Sequence, residues 1–321
     1  MNYPFYEVVK DDFSAVNDLI VSSLSSRVPL VEEISGYLIE AGGKRLRPLL
    51  VLLAARACDY NGKDHVKLAT VIEFLHTAML LHDDVVDESD LRRGRKTANA
   101  NWGNPASVLV GDFLHSRAFE MMVEIGHFRV MELLSHATNT IAEGEVQQLV
   151  NVRNPDTTEQ QYMEVISRKT AMLFQAASHT GAVLAGADAN MEAALRDYGL
   201  HLGLSFQLVD DALDYDGDTE NLGKNVGDDL AEGKATLPLI HAMREGNEAQ
   251  SSLIREAILS GGTDNLEAVI KTVQDTGSLD YTMEAARQQL FRAKDVLEGL
   301  PSGKYRDAMA QMVDFSVERS F

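Results

Sequence analysis

The sequence predicts an all-α protein, and three observations support this fold class. Long segments carry apolar residues at positions i, i+3, i+4 and i+7, which is the spacing of one helix face. The seven prolines fall mostly at the edges of these segments, where helices begin or connect. The turn dipeptides Asn-Gly and Asp-Gly lie between helical segments and not between alternating strands. We therefore expect roughly ten or more helices and no substantial sheet.

The clearest helical periodicity occurs in four parts of the chain. These are residues 69–81, 107–125, 163–187 and 191–213. No Gly/Ser-rich or Pro-rich linker divides them, so we expect residues 1–321 to form a single large domain. The sequence also contains no short-period repeat and no low-complexity tract.

Composition narrows the class of protein. The chain of 321 residues has a formal net charge of -20 and one cysteine, Cys58. The negative charge argues against nucleic acid as a partner. The lone cysteine excludes an internal disulfide and suits a cytoplasmic location. We expect no signal peptide, because residues 1–13 lack a basic region followed by an apolar stretch. We expect no transmembrane segment, because the longest apolar run, residues 48–55, is far shorter than the ~18 residues of a span.

Two aspartate clusters with the spacing Asp-Asp-x-x-Asp follow apolar helical segments. Their members are Asp83, Asp84 and Asp87 in the first cluster, and Asp210, Asp211 and Asp214 in the second. Residues four apart share a helix face, so the first and last aspartates of each cluster project together. Both clusters stand at predicted helix C-termini, where the helix dipole disfavours negative charge. A solvated acidic loop would explain one such cluster, but two indicate a bound cation, and oxygen ligands favour Mg²⁺.

Cations are concentrated beside the aspartates although the chain as a whole is acidic. Residues 42–48, Gly-Gly-Lys-Arg-Leu-Arg-Pro, precede an apolar helix predicted over residues 49–57, and residues 92–96, Arg-Arg-Gly-Arg-Lys, follow the first cluster. Glycine lets the backbone approach a ligand closely, and a helix start favours anions. Guanidinium groups bind phosphate oxygens bidentately.

A third set of cations is more dispersed. Lys169-Thr170 precedes the second aspartate cluster, whereas Lys224 and Lys234 follow it in a glycine-punctuated stretch that resembles a mobile lid. Each of these cations, taken alone, is best explained as a surface charge. Acidic and basic clusters that occur side by side twice indicate a site for a metal-chelated polyphosphate.

Together these motifs resemble the trans-polyprenyl diphosphate synthase family. The resemblance rests on residues 43–48, 82–95 and 206–214 together with Gly223-Lys224 and Lys234, and it covers nearly the whole chain. It implies the isoprenoid synthase fold, a homodimer, and a central cavity between the two helices that carry the aspartate motifs. It also implies that an allylic diphosphate ionises, that the double bond of isopentenyl diphosphate attacks, and that a proton is lost without a protein nucleophile.

The resemblance assigns a role to each motif. It implies Mg²⁺, about three ions with bound diphosphate, on Asp83, Asp87 and Asp210. Supporting metal contacts would come from Asp84, Asp211 and Asp214. Isopentenyl diphosphate would be bound by Lys44, Arg47, His76 and Arg93. The allylic diphosphate would be held by Arg92, Lys169, Thr170, Gln207, Lys224 and Lys234. The residues expected to carry catalysis are Asp83, Asp87, Asp210, Lys169 and Lys234.

Product length is expected to depend on an apolar tunnel for the growing chain, which would start beside Asp83 and run down its helix. Short-chain members of the family tend to place an aromatic residue where this sequence has Ala78 and Met79. The next helix offers Phe119, Met121 and Met122 as candidates for a deeper floor of this tunnel; Phe119 and Met122 share a face, and Met121 points elsewhere. Each is by itself best explained as a core residue. We expect a long product of about C40 made from farnesyl diphosphate, for a quinone side chain, with a product of about C15–C20 as the alternative.

Three other functions are alternatives to this one. Glu73-x-x-His76 and Glu124-x-x-His127 match the ligand pairs of di-iron carboxylate oxidases, but that reading leaves the aspartates and cations unexplained. A weakly active regulatory subunit of a heteromeric synthase would not need intact motifs. A terpene cyclase would not need the isopentenyl site. His76 is expected to contact diphosphate, and a satisfied core histidine is the alternative.

Overall fold

The structure is a computed structural model, and it describes residues 3–40, 42–92, 94–216 and 226–318. The predicted all-α fold is confirmed within these ranges. The helices are, in chain order, α1 Pro4–Glu7, α2 Lys10–Ser23, α3 Pro29–Glu40, α4 Leu46–Ala57, α5 Asp64–Val86, α6 Ala98–Trp102, α7 Asn104–Ile125, α8 Phe128–Asn151, α9 Glu159–Ile166, α10 Met172–Leu184, α11 Ala189–Leu213, α12 Asp228–Ala231, α13 Leu237–Glu245, α14 Glu248–Ser260, α15 Leu266–Asp275, α16 Ser278–Leu297 and α17 Lys304–Glu318. No helix in the described ranges has both the length and the apolar character that crossing a bilayer requires.

The chain divides into two compact units, each built from segments that are separate in sequence. The first unit comprises residues 1–138, 173–199 and 294–312, and the second comprises residues 139–172, 200–293 and 313–321. The expected single domain stays a prediction.

The first unit is organised around α5, whose predicted segment 69–81 is the middle of a longer helix. Its apolar side chains, such as Leu68, Ile72 and Leu75, are fully buried. Helix α5 packs closely along α7: a Cβ atom at Gly111 would lie 2.4 Å from the His82 ring. The Ser107 hydroxyl on α7 donates a hydrogen bond of 2.9 Å to the backbone carbonyl of Leu81. This close packing fixes the end of α5 that carries the first aspartate motif.

The second unit places α11 in a core with α9, α13 and α16. One buried cluster contains a side chain from each of these four helices: Tyr162, Leu208, Leu237 and Met283. A second cluster around Tyr215 joins α12 to the helices that follow it. Each fully buried leucine in such a core contributes about 1.5–3 kcal/mol of transfer free energy. The core therefore holds the second aspartate motif, at the end of α11, on a rigid element.

Three expectations from the sequence are corrected by the structure. The segment predicted as one helix, residues 163–187, consists of the end of α9, a π-helical turn at Ser167–Ala171, and α10. The prediction missed the π turn because its one extra residue hardly changes the apolar periodicity. Helix α4 begins at Leu46 and not at residue 49, since proline is tolerated in a first turn. A small antiparallel ribbon, β1 Leu91–Arg92 with β2 Arg95–Lys96, was not foreseen. Its turn contains Gly94 at a φ of +71°, a left-handed conformation that glycine adopts readily.

Candidate active site

The first aspartate motif lies at the C-terminal end of α5, as predicted. Asp83 is in the last turn, and Asp87 caps the helix with its N–H donating to the Asp83 carbonyl at 2.8 Å. The two residues are therefore one turn apart on the same face, and both side chains are half-buried. The helix dipole adds negative potential at this end, so the pair favours a cation.

Asp84 is almost completely buried, with 1% of its surface exposed. Its Oδ1 accepts hydrogen bonds from the Arg92 guanidinium, from Nε at 2.7 Å and from Nη2 at 2.6 Å. Burial raises the pKa of the Asp84 carboxyl above its usual range, and Arg92 partly offsets that shift. Asp84 thus holds Arg92 in place, and a direct metal contact for Asp84 stays a prediction.

A small cavity in the first unit gathers cations around one face of α5. Its lining includes Glu73, His76, Thr77 and Asp84 from α5, and Arg45, Arg92, Arg95, Lys96 and Tyr37 from neighbouring segments. Of the residues predicted to bind isopentenyl diphosphate, His76 lines this cavity. Arg92, predicted for the allylic substrate, lines the same cavity. The arrangement can hold a phosphate group between several guanidinium groups.

Two further residues predicted for isopentenyl diphosphate, Arg47 and Lys44, lie on or just before the first turn of α4. The Arg47 Nη1 atom is 3.2 Å from Nε2 of His76, and its guanidinium stacks over the Phe174 ring at 4.2 Å. The backbone carbonyl of Lys44 accepts a hydrogen bond from the Tyr6 hydroxyl. The structure therefore brings Arg47 and His76 together. Arg93 lies outside the described residues.

Tyr37 and Arg95 are cavity residues to which sequence reasoning gave no role. The Tyr37 hydroxyl donates a 2.6 Å hydrogen bond to the Lys96 carbonyl, and Arg95 lies over the Tyr37 ring at 5.7 Å. These contacts anchor the ribbon that carries Arg92 to helix α3. The dense Arg-Lys cluster at residues 92–96 was a signal for Arg95, but no local pattern marked Tyr37.

The second aspartate motif ends α11 in the same way. The Asp214 N–H donates to the Asp210 carbonyl at 3.2 Å, so these residues are also one turn apart. Asp210 is half-buried, whereas Asp214 is fully buried. The Oδ2 atom of Asp214 accepts a hydrogen bond of 3.1 Å from the Asp229 N–H. Asp214 therefore stabilises the start of α12, the short helix that precedes Lys234.

Asp211 is held by a chain of hydrogen bonds. Its Oδ2 accepts from the Tyr162 hydroxyl at 2.6 Å, and its Oδ1 accepts from Gln207 Nε2 at 2.6 Å. The Gln207 Oε1 atom in turn accepts from the Thr170 hydroxyl at 2.8 Å. Burial raises the pKa of Tyr162 well above its usual range, so this hydroxyl stays protonated and donates. Among the residues that form this series of hydrogen bonds, Tyr162 is the one to which the sequence analysis gave no role.

A cavity of about 110 Å³ in the second unit joins most of the predicted allylic site. It is lined by the predicted residues Lys169, Thr170, Gln207, Asp211 and Lys234. Further polar residues in its wall are Gln148, Asn151, Tyr162, Asp229 and Thr236. Residues from the π turn, α11 and the segment after α12 thus meet in one cavity that contains both lysines and aspartates. Lys224, and most of the predicted lid, lie outside the described residues.

Both lysines of this cavity have carboxylate partners. The Lys169 Nζ atom is 2.6 Å from Oε2 of Glu145, and Lys234 pairs with Glu232. The Lys234 N–H also donates a 2.8 Å hydrogen bond to the Asp229 carbonyl, which fixes the backbone of the lysine. Any anion that bound these ammonium groups would therefore compete with two glutamates.

The residues predicted to set product length lie in the packed region of α5 and α7. Ala78 and Met122 each have 1% of their surface exposed, Met121 has 4%, and Met79 and Phe119 are half-buried. The small side chain of Ala78 leaves α5 without an aromatic residue at this level. Burial suits either a tunnel wall or an ordinary core, so the length assignment stays a prediction.

The carboxylates fit a cation that arrives with its ligand. Among the described residues, no three His, Cys, Asp or Glu side chains are grouped as a complete metal cage. Mg²⁺ is usually bound by one or two carboxylates and completes its shell with waters and substrate phosphates. The half-buried carboxylates of Asp83, Asp87 and Asp210, at the negative ends of two helices, could supply that incomplete set.

The two Glu-x-x-His pairs have other partners. The Glu73 carboxylate lies 3.8 Å from Nε of Arg45, and His76 contacts Arg47. Glu124 binds Lys67 at 2.8 Å, while His127 Nδ1 accepts from the Val130 N–H at the start of α8. These contacts argue against the di-iron alternative.

Comparison with known proteins identifies the class to which this fold and this pair of sites belong. The polyprenyl synthetase family model matches residues 28–275. The octaprenyl diphosphate synthase of Haemophilus influenzae is 50% identical over 311 residues, 97% of this chain and 94% of that protein. An all-trans-nonaprenyl-diphosphate synthase (geranyl-diphosphate specific) of Rhodobacter capsulatus is 49% identical, over 97% of this chain and 96% of its own length.

A solved structure agrees with these relatives. The polyprenyl synthase of Caulobacter crescentus, crystallised in complex with calcium and isoprenyl diphosphate, superposes with a TM-score of 0.96. It is 45% identical, and the match covers 99% of this chain and 98% of that one. The chain belongs to the polyprenyl synthetase family. The predicted family, the isoprenoid synthase fold and the assignment as a prenyltransferase are confirmed.

Proposed function

We propose that this protein is a long-chain trans-polyprenyl diphosphate synthase that condenses isopentenyl diphosphate with an allylic diphosphate. One observation carries the proposal: each unit places one aspartate motif beside its own cation-lined cavity. In the first unit, Asp84 lines the cavity with His76 and Arg92. In the second unit, Asp211 lines the cavity with Lys169 and Lys234. Two cavities of this kind suit a reaction with two diphosphate substrates.

The cavities suggest how the substrates are divided. The first, with His76 and the neighbouring Arg47, would take isopentenyl diphosphate, with help from Lys44 and Arg93. The second would take the allylic diphosphate through Lys169, Thr170, Gln207 and Lys234, with help from Lys224. The lysines would orient the leaving diphosphate, and the Tyr162–Asp211–Gln207 chain would keep Gln207 and Thr170 in position.

Mg²⁺ is the cation proposed for the aspartates. Asp83, Asp87 and Asp210 would hold it, because each is half-buried at a helix C-terminus. Mg²⁺ bound with the substrate would stabilise negative charge on the departing diphosphate by Lewis-acid chemistry. Asp214 and Asp84 would support these ligands, Asp214 through the start of α12 and Asp84 through Arg92.

The proposal extends to product, assembly and location. The relatives are octaprenyl and nonaprenyl diphosphate synthases, which supports a product of about C40, suited to a quinone side chain. A homodimer is supported by exposed apolar residues along α7 and at the start of α8, namely Leu109, Val123 and Phe128. A cytoplasmic location is supported by the single cysteine.

The product assay tests the proposed function directly. Purified protein incubated with farnesyl diphosphate, labelled isopentenyl diphosphate and Mg²⁺ should yield dephosphorylated products of about C40 by chromatography. Excess chelator should abolish the product, and added Mg²⁺ should restore it. A chain that makes no product alone but does so with a partner protein would be a regulatory subunit. A cyclic hydrocarbon product would indicate a terpene cyclase.

Kinetics of two neighbouring arginines test the division of substrates. Arg92→Ala should raise the KM for the allylic substrate more than that for isopentenyl diphosphate, and Arg93→Ala should do the reverse. Loss of a charge-assisted contact costs about 1.5–3 kcal/mol, so the larger change should be roughly 10- to 100-fold. The resemblance implies the allylic role for Arg92, whereas its place in the cavity with His76 points to isopentenyl diphosphate. Steady-state kinetics with each substrate varied decides between these two roles. Equal effects on both substrates would contradict the division.

A further inference from the structure

The π turn that carries Lys169 lies directly against helix α8, and Gly144 makes this approach possible. A Cβ atom at residue 144 would lie 2.9 Å from both the Arg168 Cβ and the Lys169 backbone nitrogen. Such distances are too short for any side chain, so the contact requires glycine. The glutamates on either side of Gly144 are thereby held next to the two cations of the π turn.

These two ion pairs differ in their surroundings. The Glu145–Lys169 pair has a separation of 2.6 Å, and its side chains are 29% and 18% exposed. The Glu143–Arg168 pair has a separation of 4.0 Å, and its side chains are 61% and 45% exposed. Lys169 lines the cavity of the second unit, whereas Arg168 does not. Of these two pairs, the inner one therefore has a member in the cavity wall.

The charges around this cavity are unfavourable for a bare anion. Lys169 and Lys234 face the carboxylates of Asp211 and Asp229 in the cavity wall. Glu145 and Glu232, which are not part of the cavity wall, pair with the same two lysines. Among the described residues that line this cavity or pair with its lysines, these two positive charges are accompanied by four negative ones. A diphosphate without metal would be repelled here, whereas a diphosphate that has chelated divalent cations carries less negative charge and is accepted.

We propose that Glu145 is a specificity-determining residue that acts through Lys169 and makes the cavity select the metal-chelated form of diphosphate over the free anion. This inference rests on the proposed function of the cavity as the allylic diphosphate site. Glu145 competes with the ligand for the Lys169 ammonium, and the divalent cation supplies the compensating attraction. The selection prevents free pyrophosphate, which is also the reaction product, from occupying the site in an unproductive form.

Calorimetric titration with inorganic pyrophosphate tests this inference. In excess chelator, Glu145→Gln should bind pyrophosphate about tenfold more tightly than the wild type, equivalent to about 1.4 kcal/mol. In saturating Mg²⁺, the gain should shrink to about threefold or less, so the ratio of affinities with and without metal should fall. Glu145→Asp, which keeps the charge, should retain the wild-type preference for the metal complex.

The outer glutamate provides a matched control. Glu143→Gln removes the same charge one residue before Gly144, and it should leave both affinities unchanged. Adding Lys169→Ala to Glu145→Gln should abolish the gain. The inference is overturned if Glu145→Gln binds metal-free pyrophosphate no more tightly than the wild type, or if Glu143→Gln shows the same gain. Glu145→Ala repeats the comparison if the glutamine variant does not fold.

The outcome can be separated from a failure of the proposed function. If the wild type elongates farnesyl diphosphate but Glu145→Gln shows no gain in chelator, the inference about Glu145 fails by itself. If the wild type forms no prenyl product and binds pyrophosphate in neither condition, the assignment of the cavity fails.

Discussion

Replacing Asp83 or Asp210 with alanine should each lower kcat by about 100- to 1,000-fold while the protein stays folded. Removing one group that stabilises charge in a transition state typically has an effect of this size. Each residue lies in the last turn of a helix, one turn before a second aspartate. The helix dipole and the neighbouring carboxylate both disfavour the charge in the absence of a cation. The unliganded variants should therefore melt at the wild-type temperature or slightly above it.

Single-turnover rates and thermal unfolding together check this expectation. Asp90→Ala is the matched control, because Asp90 is exposed and follows the first motif by three residues. It should leave both the rate and the Tm unchanged. If Asp83→Ala and Asp210→Ala keep nearly wild-type rates, the metal assignment is wrong. If both variants melt well below the wild type, the aspartates stabilise the fold directly and the assignment loses its physical basis.

Most of the fold was predictable because long amphipathic helices carry their pattern locally. The segment 191–213, for example, lies within α11 at Ala189–Leu213. The aspartates of both motifs occur where predicted, at helix ends, since the apolar run and the polar break after it are both visible in the sequence. The π turn at Ser167–Ala171 was not predictable in this way, because one inserted residue hardly changes the periodicity.

The cation sites were only partly predictable for a different reason. Lys169, Gln207 and Lys234 belong to motifs, and the structure brings them to one cavity. Their partners Tyr162 and Glu145 belong to no motif: they reach the site through tertiary packing, Tyr162 by its hydroxyl to Asp211 and Glu145 through the contact at Gly144. A residue whose role depends on what packs against it has no signature in local sequence. Such residues are therefore found only from the structure.

The length of the product tests the assignment of Ala78 to the wall of the tunnel. Ala78→Tyr should shorten the product from about C40 to about C15–C20, because a phenol ring at this level of α5 would close a tunnel running along the helix. Each isoprene unit buries about five carbons, so elongation stays favourable until a side chain obstructs it. Products made from farnesyl diphosphate would be dephosphorylated and sized by chromatography. Val86→Tyr, at an exposed position of the same helix, should leave the length unchanged.

Thermal stability separates a tunnel from an ordinary core at Ala78. Ala78 is 1% exposed, and forcing a large side chain into a packed core typically costs about 1–3 kcal/mol. If a tunnel adjoins Ala78, the ring enters open space, and the product shortens with little change in Tm. If Ala78 is only a core residue, Ala78→Tyr lowers the Tm by several degrees and any surviving enzyme makes the full-length chain.

The far end of the tunnel can be tested with two adjacent buried methionines. Met122→Ala should lengthen the product beyond about C40, because removing a side chain at the floor makes room for further units. Met121→Ala is the matched control. Met121 is buried like Met122, with 4% of its surface exposed, but it lies on a different side of α7 from Phe119 and Met122. It should therefore leave the length unchanged. Equal lengthening by both variants would mean that general loosening of α7 sets the length, and a wild-type product no longer than about C20 would refute the tunnel itself.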